Sequence, residues 1–543
     1  MDAIKLRDFE KLSPFEIKDE LIQLARKNAT STAKAFLNAG RGNPNWVATR
    51  PREGFFLLGQ FAVEECSRVM RNDAGLAGMP QASGSAGRLQ AWLAERPAAP
   101  GAVFLKAATE YAIEHFGFEP DAFVHELVDS IIGDNYPVPD RMLVHAERIV
   151  HEYLMWAMCG DPAPKGKFDL FAVEGGTAAM CYLFKALKSS RLLNAGDTIA
   201  LGGPIFTPYL EMPHLEDYGL NAVIVHSPQQ NKFQFTDEEL KKLEDPKIKA
   251  FFLVNPGNPT AVALSAETIE KIVRLVTTKR PDLILLTDDV YGTFVKGFRS
   301  LLGALPQNTI GVYSFSKYFG CTGWRLGVIA VHQDNIFDKQ IAALPEDVIG
   351  KLDARYGALS LQPRKIKFID RIVADSRDVA LNHTAGLSLP QQVMMSLFSL
   401  SELVDTEKHY QKACMEIVNR RLRALLTGLG IDAPVGPLFD AYYGLIDFEL
   451  IFRRRVGDDV ADYIKANIHP LDIVFQLAED HGIVLLNGGG FDAPDWSARV
   501  SFANLPDEVY EDIGRAVRAV ARSYYMMFRA AKGAGPMAKA AKH

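Results

Sequence analysis

Ser314-Phe315-Ser316-Lys317-Tyr318-Phe319-Gly320-Cys321-Thr322-Gly323-Trp324-Arg325-Leu326-Gly327 follows directly on the apolar run at 310–313. A lysine is ordinarily a solvated surface residue. Here it stands just past an apolar run, with hydroxyls at Ser314 and Ser316 and an arginine at Arg325. A lysine that bonds to a phosphate-bearing carbonyl compound needs an anion site close by. Two hydroxyls and a guanidinium supply the parts of one.

Working outward, short apolar runs recur at 170–173, 198–201, 221–225, 250–254, 283–286, 310–313 and 327–331, each ending in a polar or Gly-rich turn. Continuous apolar character predicts strands buried on both faces of a sheet covered by helices. Helical stretches at 178–187 and 266–276 lie between them, a βαβ pattern. In such sheets ligands bind at the carboxyl ends of the strands.

The unusual residues fall at those ends. Val254-Asn255-Pro256-Gly257-Asn258-Pro259-Thr260 is a turn by composition, or an amide aimed at a ring oxygen. Thr287-Asp288-Asp289-Val290-Tyr291 places a carboxylate where it either caps a helix or pairs with a protonated pyridine nitrogen. Glu174-Gly175-Gly176-Thr177 leads from a strand into a helix, where free backbone N–H groups make a phosphate cradle. A Gly-Gly turn alone is weak, and it is neither a dinucleotide fingerprint nor a P-loop.

Gly-Gly-Thr, Asn-Pro-Thr, Asp-x-x-Tyr and Ser-x-Ser-Lys followed by Arg stand in the order and spacing of the fold type I, class I/II aminotransferases. From about residue 133 onward the sequence resembles that superfamily. The length, the helical insertion and the segment Leu37-Asn38-Ala39-Gly40-Arg41-Gly42-Asn43-Pro44-Asn45-Trp46 resemble one branch, the bacterial aspartate 4-decarboxylases.

The resemblance implies a pyridoxal 5'-phosphate cofactor bonded to Lys317. It implies that Asp288 pairs with the pyridine nitrogen and that Tyr291 and Asn258 meet the ring oxygen. Gly176, Thr177, Ser314, Ser316 and Arg325 hold the phosphate, and Phe206 stacks on the ring. Tyr136 reaches the phosphate of a neighbouring subunit. Arg499 grips the substrate α-carboxylate with its planar fork. Phe206 as ordinary core, Tyr136 as a loop tyrosine and Arg499 as half of a structural ion pair are the plainer alternatives. The glycine close to substrate is either Gly40 or Gly117. Arg41 is expected near the substrate side-chain carboxylate, a solvent-facing arginine being the alternative. Asn-Pro-Thr is followed by Ala261 where the family has glycine.

The expected fold is an α/β, aspartate-aminotransferase-like large domain with a mainly parallel sheet, a smaller α+β C-terminal domain and a helical N-terminal insertion. The expected divisions are 1–50 as an N-terminal arm, 51–132 as the insertion, 133–345 as the cofactor domain, 346–384 as an irregular connection and 385–543 as the small domain. The tail, 532–543, reads as frayed.

A chain of 543 residues with 48% hydrophobic and 23% charged residues is a multidomain globular protein. The net charge of −6, with signs interspersed, favours neither nucleic acid nor an anionic membrane. Five scattered cysteines without a C-x-x-C pair read as reduced thiols of a cytoplasmic protein. No metal site is expected. The implied activity is decarboxylation of L-aspartate to L-alanine in a homodimer with shared sites, or a larger homo-oligomer. An aminotransferase is the alternative. A non-catalytic regulator on the same fold is disfavoured, because no basic helix-turn-helix segment is evident.

Overall fold

A computed structural model of the chain describes residues 6, 7, 9, 12–32, 36–377, 385–432 and 435–533. The tail from 534 on and the stretch 378–384 lie outside the described residues.

Seven strands form the central sheet: β2 (Phe168–Val173), β3 (Thr198–Gly203), β4 (Asn221–His226), β5 (Ile248–Val254), β6 (Ile284–Asp288), β7 (Thr309–Ser314) and β8 (Gly327–His332). Their order is β2-β8-β7-β6-β5-β3-β4, with β8 alone antiparallel to its neighbours. Successive side chains of a strand point to opposite faces, and β5 divides its residues accordingly. Ala250 and Phe252 join a core with the helix Gly176–Ser189, while Phe251 and Leu253 join another with the helix Ala266–Thr278. Edge strand β4 is largely exposed. The expected runs therefore mark the strands, most of them one or two residues short of the observed ends.

A three-stranded antiparallel sheet, β11 (Leu486–Asn487), β12 (Ser497–Ser501) and β9 (Tyr443–Asp447), builds the C-terminal part. The helices His409–Leu429 and Val509–Ala531 pack beside it. Residues 483–487 form two short strands. β10 (Ile483–Val484) pairs in parallel with β1 (Leu37–Asn38), and β11 pairs with β12. The chain start is thereby returned to the C-terminal part, and residues 40–46 are carried toward the ends of the central strands.

Residues 49–132 form four helices, Thr49–Val69, Ser85–Ala94, Pro100–Phe116 and Pro120–Ile132. Leu58, Phe61, Leu105, Phe123 and Leu127 make their own core, completed by Val393, Leu397 and Leu400 of the helix Leu389–Leu403. The stretch read as irregular is instead helical at Glu346–Tyr356 and Phe368–Asp375. Leu352, Tyr356, Phe368 and Ile372 are buried in the core of the central sheet. Glu346–Tyr356 buries only Leu352 and Tyr356, and Phe368–Asp375 is barely two turns long, so neither apolar stripe runs far enough to stand out in sequence. Among the described residues no helix is long and apolar enough to cross a membrane.

The helices His409–Leu429 and Val509–Ala531 touch backbone to backbone. A Cβ on Gly514 would lie 2.5 Å from the carbonyl oxygen of Leu425 and 2.7 Å from the amide of Leu429. Neither can yield without moving a helix. Gly514→Ala should lower unfolding stability by about 1–3 kcal/mol, read as a lower denaturant midpoint with unchanged slope.

Candidate active site

A cleft of about 240 Å³ opens where β5, β6 and β7 end, at Val254, Asp288 and Ser314. A more open cavity of about 380 Å³ lies at His226, Gln229 and Asp492, but no lysine or arginine lines it. The smaller cleft holds the chemistry.

One end of it is built for an anion. Gly175, at φ 91°, turns the chain from β2 into the helix Gly176–Ser189, whose first N–H groups have no side-chain cap. Such groups carry partial positive charge toward a ligand. A Cβ on Gly175 would lie 2.6 Å from Arg325 Nη2, so only glycine lets the guanidinium close over this turn. Arg325 donates to the carbonyls of Thr322 at 3.0 Å and Glu174 at 3.3 Å. Ser314 Oγ donates to Ser316 Oγ at 3.0 Å.

Beyond that end the Asp288 carboxylate is buried. Its Oδ2 accepts from Tyr209 Oη at 2.8 Å and its Oδ1 from the Val290 amide at 3.3 Å. Burial raises its pKa, and the two hydrogen bonds with the Lys317 charge offset only part of the rise. A cation seated against it would restore the ionised form. Asp289 turns away, accepting from Thr287 Oγ1 at 2.6 Å and from Ser300 Oγ. Burial pushes it up to about 8.

The far wall comes from the small sheet and the N-terminal segment. Arg499 on β12, 2% exposed, donates from Nη1 to Asn258 Oδ1 at 2.9 Å and from Nη2 to the Gly40 carbonyl at 3.0 Å. Its Nε is buried without a partner. Lys317 Nζ donates to the Gly42 carbonyl at 3.0 Å. Tyr291 Oη donates to Tyr443 Oη at 3.3 Å.

Of the residues anticipated from sequence, Gly176, Thr177, Phe206, Asn258, Asp288, Tyr291, Ser314, Ser316, Lys317, Arg325 and Arg499 line this one cleft. Tyr136 does not. It is 66% exposed, in a loop outside the cleft, so any role at a cofactor would be played on another copy. Gly117 does not either. It caps the helix Pro100–Phe116 at φ 65° in the insertion, which accounts for it structurally. Gly40 stands behind Arg499 as a carbonyl acceptor, and Gly42, not Gly40, is the glycine against Lys317. Arg41 between them is exposed and outside the cleft lining, which goes against the inward reach expected of it. Ala261 takes φ 60°, the left-handed conformation a glycine would adopt easily. The turn survives on Ala261 N–H to Gly257 O at 2.7 Å and Asp440 N–H to Ala261 O at 2.8 Å.

Seven lining residues were given no role from sequence: Phe15, Gly42, Tyr209, Val254, Val290, Thr322 and Tyr443. Tyr209 follows Phe206 by one helical turn, a spacing that could have flagged it. Phe15 and Tyr443 come from distant segments with no local motif.

Residues 170–517 match the family model described as aminotransferase class I and II. The chain is 47% identical over 525 residues to a bifunctional aspartate aminotransferase and L-aspartate beta-decarboxylase of a Pseudomonas species, covering 96% of this chain and 98% of that one. It is 25% identical over 362 residues to an asparagine–oxo-acid transaminase of Streptococcus mutans, 64% of this chain and 77% of that one. Among solved structures, an aspartate aminotransferase from Rhizobium meliloti superposes with a TM-score of 0.58 at 16% identity, covering 94% of this chain and 96% of that one. That likeness speaks to the fold.

Asp289 allows a test independent of any ligand. Its folded pKa of about 8 lies well above that of a solvated carboxylate. A carboxyl with a raised folded pKa contributes stability that is fully present below its unfolded pKa and lost as pH rises through the folded one. Wild-type stability relative to Asp289→Asn should therefore fall from about pH 4 to about pH 8 and level off above. Denaturant midpoints of the two proteins that run parallel across this range would rule it out.

Proposed function

The chain belongs to the class I and II aminotransferase family, and we propose that it converts L-aspartate to L-alanine and carbon dioxide with pyridoxal 5'-phosphate as cofactor, transaminating as a side activity. The observation that carries this reading is the alignment with the Pseudomonas enzyme. It spans 96% of this chain, and so takes in the helical insertion that the family match, beginning at residue 170, does not reach.

The donors of the cleft fit the cofactor. There is one amine for its aldehyde, one buried carboxylate that accepts from a phenol and an amide and makes no ion pair among the described residues, and one uncapped helix start flanked by hydroxyls and a guanidinium. Lys317 would bond to it, Asp288 would face its pyridine nitrogen, and Tyr291 and Asn258 would meet its ring oxygen. Gly176, Thr177, Ser314, Ser316 and Arg325 would hold its phosphate, with Phe206 against its ring. When bound, pyridoxal phosphate supplies an electron sink for bonds broken at the substrate carbons.

The chain's own residues then set which bonds break. Arg499 takes the α-carboxylate, its Nη groups turning from Asn258 and Gly40 toward the stronger acceptor. Lys317 removes the α-proton as general base and returns protons later. Asp288 would pair with the cofactor's ring nitrogen and keep it protonated, so that a positive charge faces the developing negative charge. Decarboxylation and transamination share these steps and differ in whether carbon dioxide leaves before water enters. Tyr136 would serve the site of a second copy, giving at least a homodimer with shared sites and leaving the insertion free to join larger assemblies. A cytoplasmic location accords with five unpaired thiols.

Two measurements test this. Borohydride should trap pyridoxal phosphate on Lys317, and Lys317→Ala should give no stable adduct; an adduct at another lysine would reassign the site. With L-aspartate as sole substrate and no keto acid, the holoenzyme should release carbon dioxide and alanine in equal amounts. Products that form only when a keto acid is added would make it an aminotransferase alone.

A further inference from the structure

Tyr443 has no part in the roles above, yet its hydroxyl stands among the groups that would do the chemistry. It opens β9 and is 2% exposed. Its Oη accepts from Tyr291 Oη at 3.3 Å, and the Arg499 guanidinium lies over its ring at 4.2 Å. Tyr443 Oη and Lys317 Nζ crowd the same side of Gly42. A Cβ on Gly42 would collide with the phenol oxygen and come within 3.1 Å of Lys317 Nζ. Glycine here lets an amine and a phenol approach one another across a bare backbone.

We propose that Tyr443 shares a proton with Lys317 and so sets the pH at which the pair offers a neutral amine. Tyr443 acts through Lys317 and is a positioning residue, not a catalytic one. The exchange moves one proton and no electrons. An N–H bond of the Lys317 ammonium breaks, an O–H bond forms on the Tyr443 phenolate, and a neutral amine and a phenol result. The pair keeps its net charge throughout, so no proton has to cross to bulk water.

The surroundings favour this over simple packing. Five titratable or charged groups face Tyr443: Lys317 after β7, Arg499 on β12, Tyr291 after β6, and Asp440 and Tyr442 ahead of its own strand. Burial opposes the phenolate, but the two cations and the Tyr291 hydrogen bond outweigh it and the Asp440 charge, leaving Tyr443 below the ordinary tyrosine range. The adjoining Tyr291 and Tyr442 are pushed far the other way, mainly by burial. Of three clustered phenols, the one beside Lys317 is the one fit to ionise. Lys317 is faced in turn by Asp288 and Cys321. Cys321 is raised to about 12 by burial, and Asp288 is committed to the cofactor side, so neither competes for the shared proton.

The inference rests on the reading of Lys317 as base, a step common to decarboxylation and transamination. Tyr443→Phe keeps the ring under Arg499 and removes the acid together with the acceptor of the Tyr291 hydroxyl. In holoenzyme loaded with pyridoxal phosphate, deuterium uptake at the α-carbon of L-aspartate is followed against pH. With two proton sites sharing one loss, the pair gives up its first proton at lower pH than lysine alone, so the rate reaches its plateau earlier. The acid limb should therefore move up by roughly one pH unit or more in the variant. Tyrosinate absorbance of the cofactor-free proteins should show one early-ionising tyrosine in wild type and none in the variant. An unmoved acid limb with a uniformly lower rate, or an early-ionising tyrosine that persists, overturns the proposal and leaves Tyr443 a packing residue. Wild type is measured first: no deuterium uptake at any pH would overturn the role of Lys317 and this inference with it.

Discussion

Asp288 and Arg499 carry opposite charges into one cleft, both almost entirely removed from water. Among the described residues neither makes an ion pair. An uncompensated buried charge is among the most costly features a fold can hold. Each is instead sustained by neutral dipoles: a phenol and an amide at Asp288, an amide oxygen and a carbonyl at Arg499. This stabilises the charges enough to keep them, not enough to satisfy them. On the proposed assignment, a protonated ring beside Asp288 and a substrate carboxylate beside Arg499 would restore both balances.

Holding those charges apart requires walls that do not collapse on each other, and the chain uses its two ends to do so. Asp288 and Lys317 sit at the termini of central strands buried on both faces. Arg499 belongs to the small sheet, and the carbonyls that face Arg499 and Lys317 come from residues 40 and 42. That segment is pinned by the pairing of Leu37 with Ile483 and Asn38 with Val484. Trp46 Nε1 adds a bond to the Tyr318 carbonyl at 3.1 Å, next in chain to Lys317. The carbonyl of Gly42 receives both Lys317 Nζ and Tyr442 Oη. The amine is thus positioned by a segment more than 270 residues away in sequence.

This arrangement explains what could be read from sequence. Asp288, Asn258, Ser314 and Lys317 lie at or just after strand ends, and each strand announces itself by an unbroken apolar run. Local pattern was therefore enough to place them. Tyr443, Phe15 and Gly42 reach the cleft through tertiary packing of the N- and C-terminal segments, and nothing within ten residues of them encodes the approach. The choice between Gly40 and Gly117 stayed open for the same reason. Both sit in plausible local patterns, and only the β1–β10 pairing decides that residues 40–42 stand at the wall while Gly117 ends a helix of the insertion. The helices at Glu346–Tyr356 and Phe368–Asp375 were missed on a different ground. Glu346–Tyr356 reaches the sheet's core with Leu352 and Tyr356 alone, and Phe368–Asp375 is two turns long with the charged Arg371 and Asp375 buried among its apolar residues.

The position of Arg41 bears on how one cleft could serve both decarboxylation and transamination. Among the residues lining it, the arginines are Arg325, at the anion end, and Arg499. On the proposed assignment Arg499 is taken by the α-carboxylate, so the second carboxylate of aspartate meets no guanidinium lodged in this chain's cleft. A bidentate clamp would stabilise that carboxylate before the bond breaks and lose its hold as carbon dioxide forms, which raises the barrier. A wall that offers the group shape without a strong ion pair leaves its departure unhindered. The same looseness lets water compete at the shared stage, and a transaminase side reaction follows from it. Control over partitioning then belongs to how well the cleft excludes water, and so to the segment 40–46 that closes it.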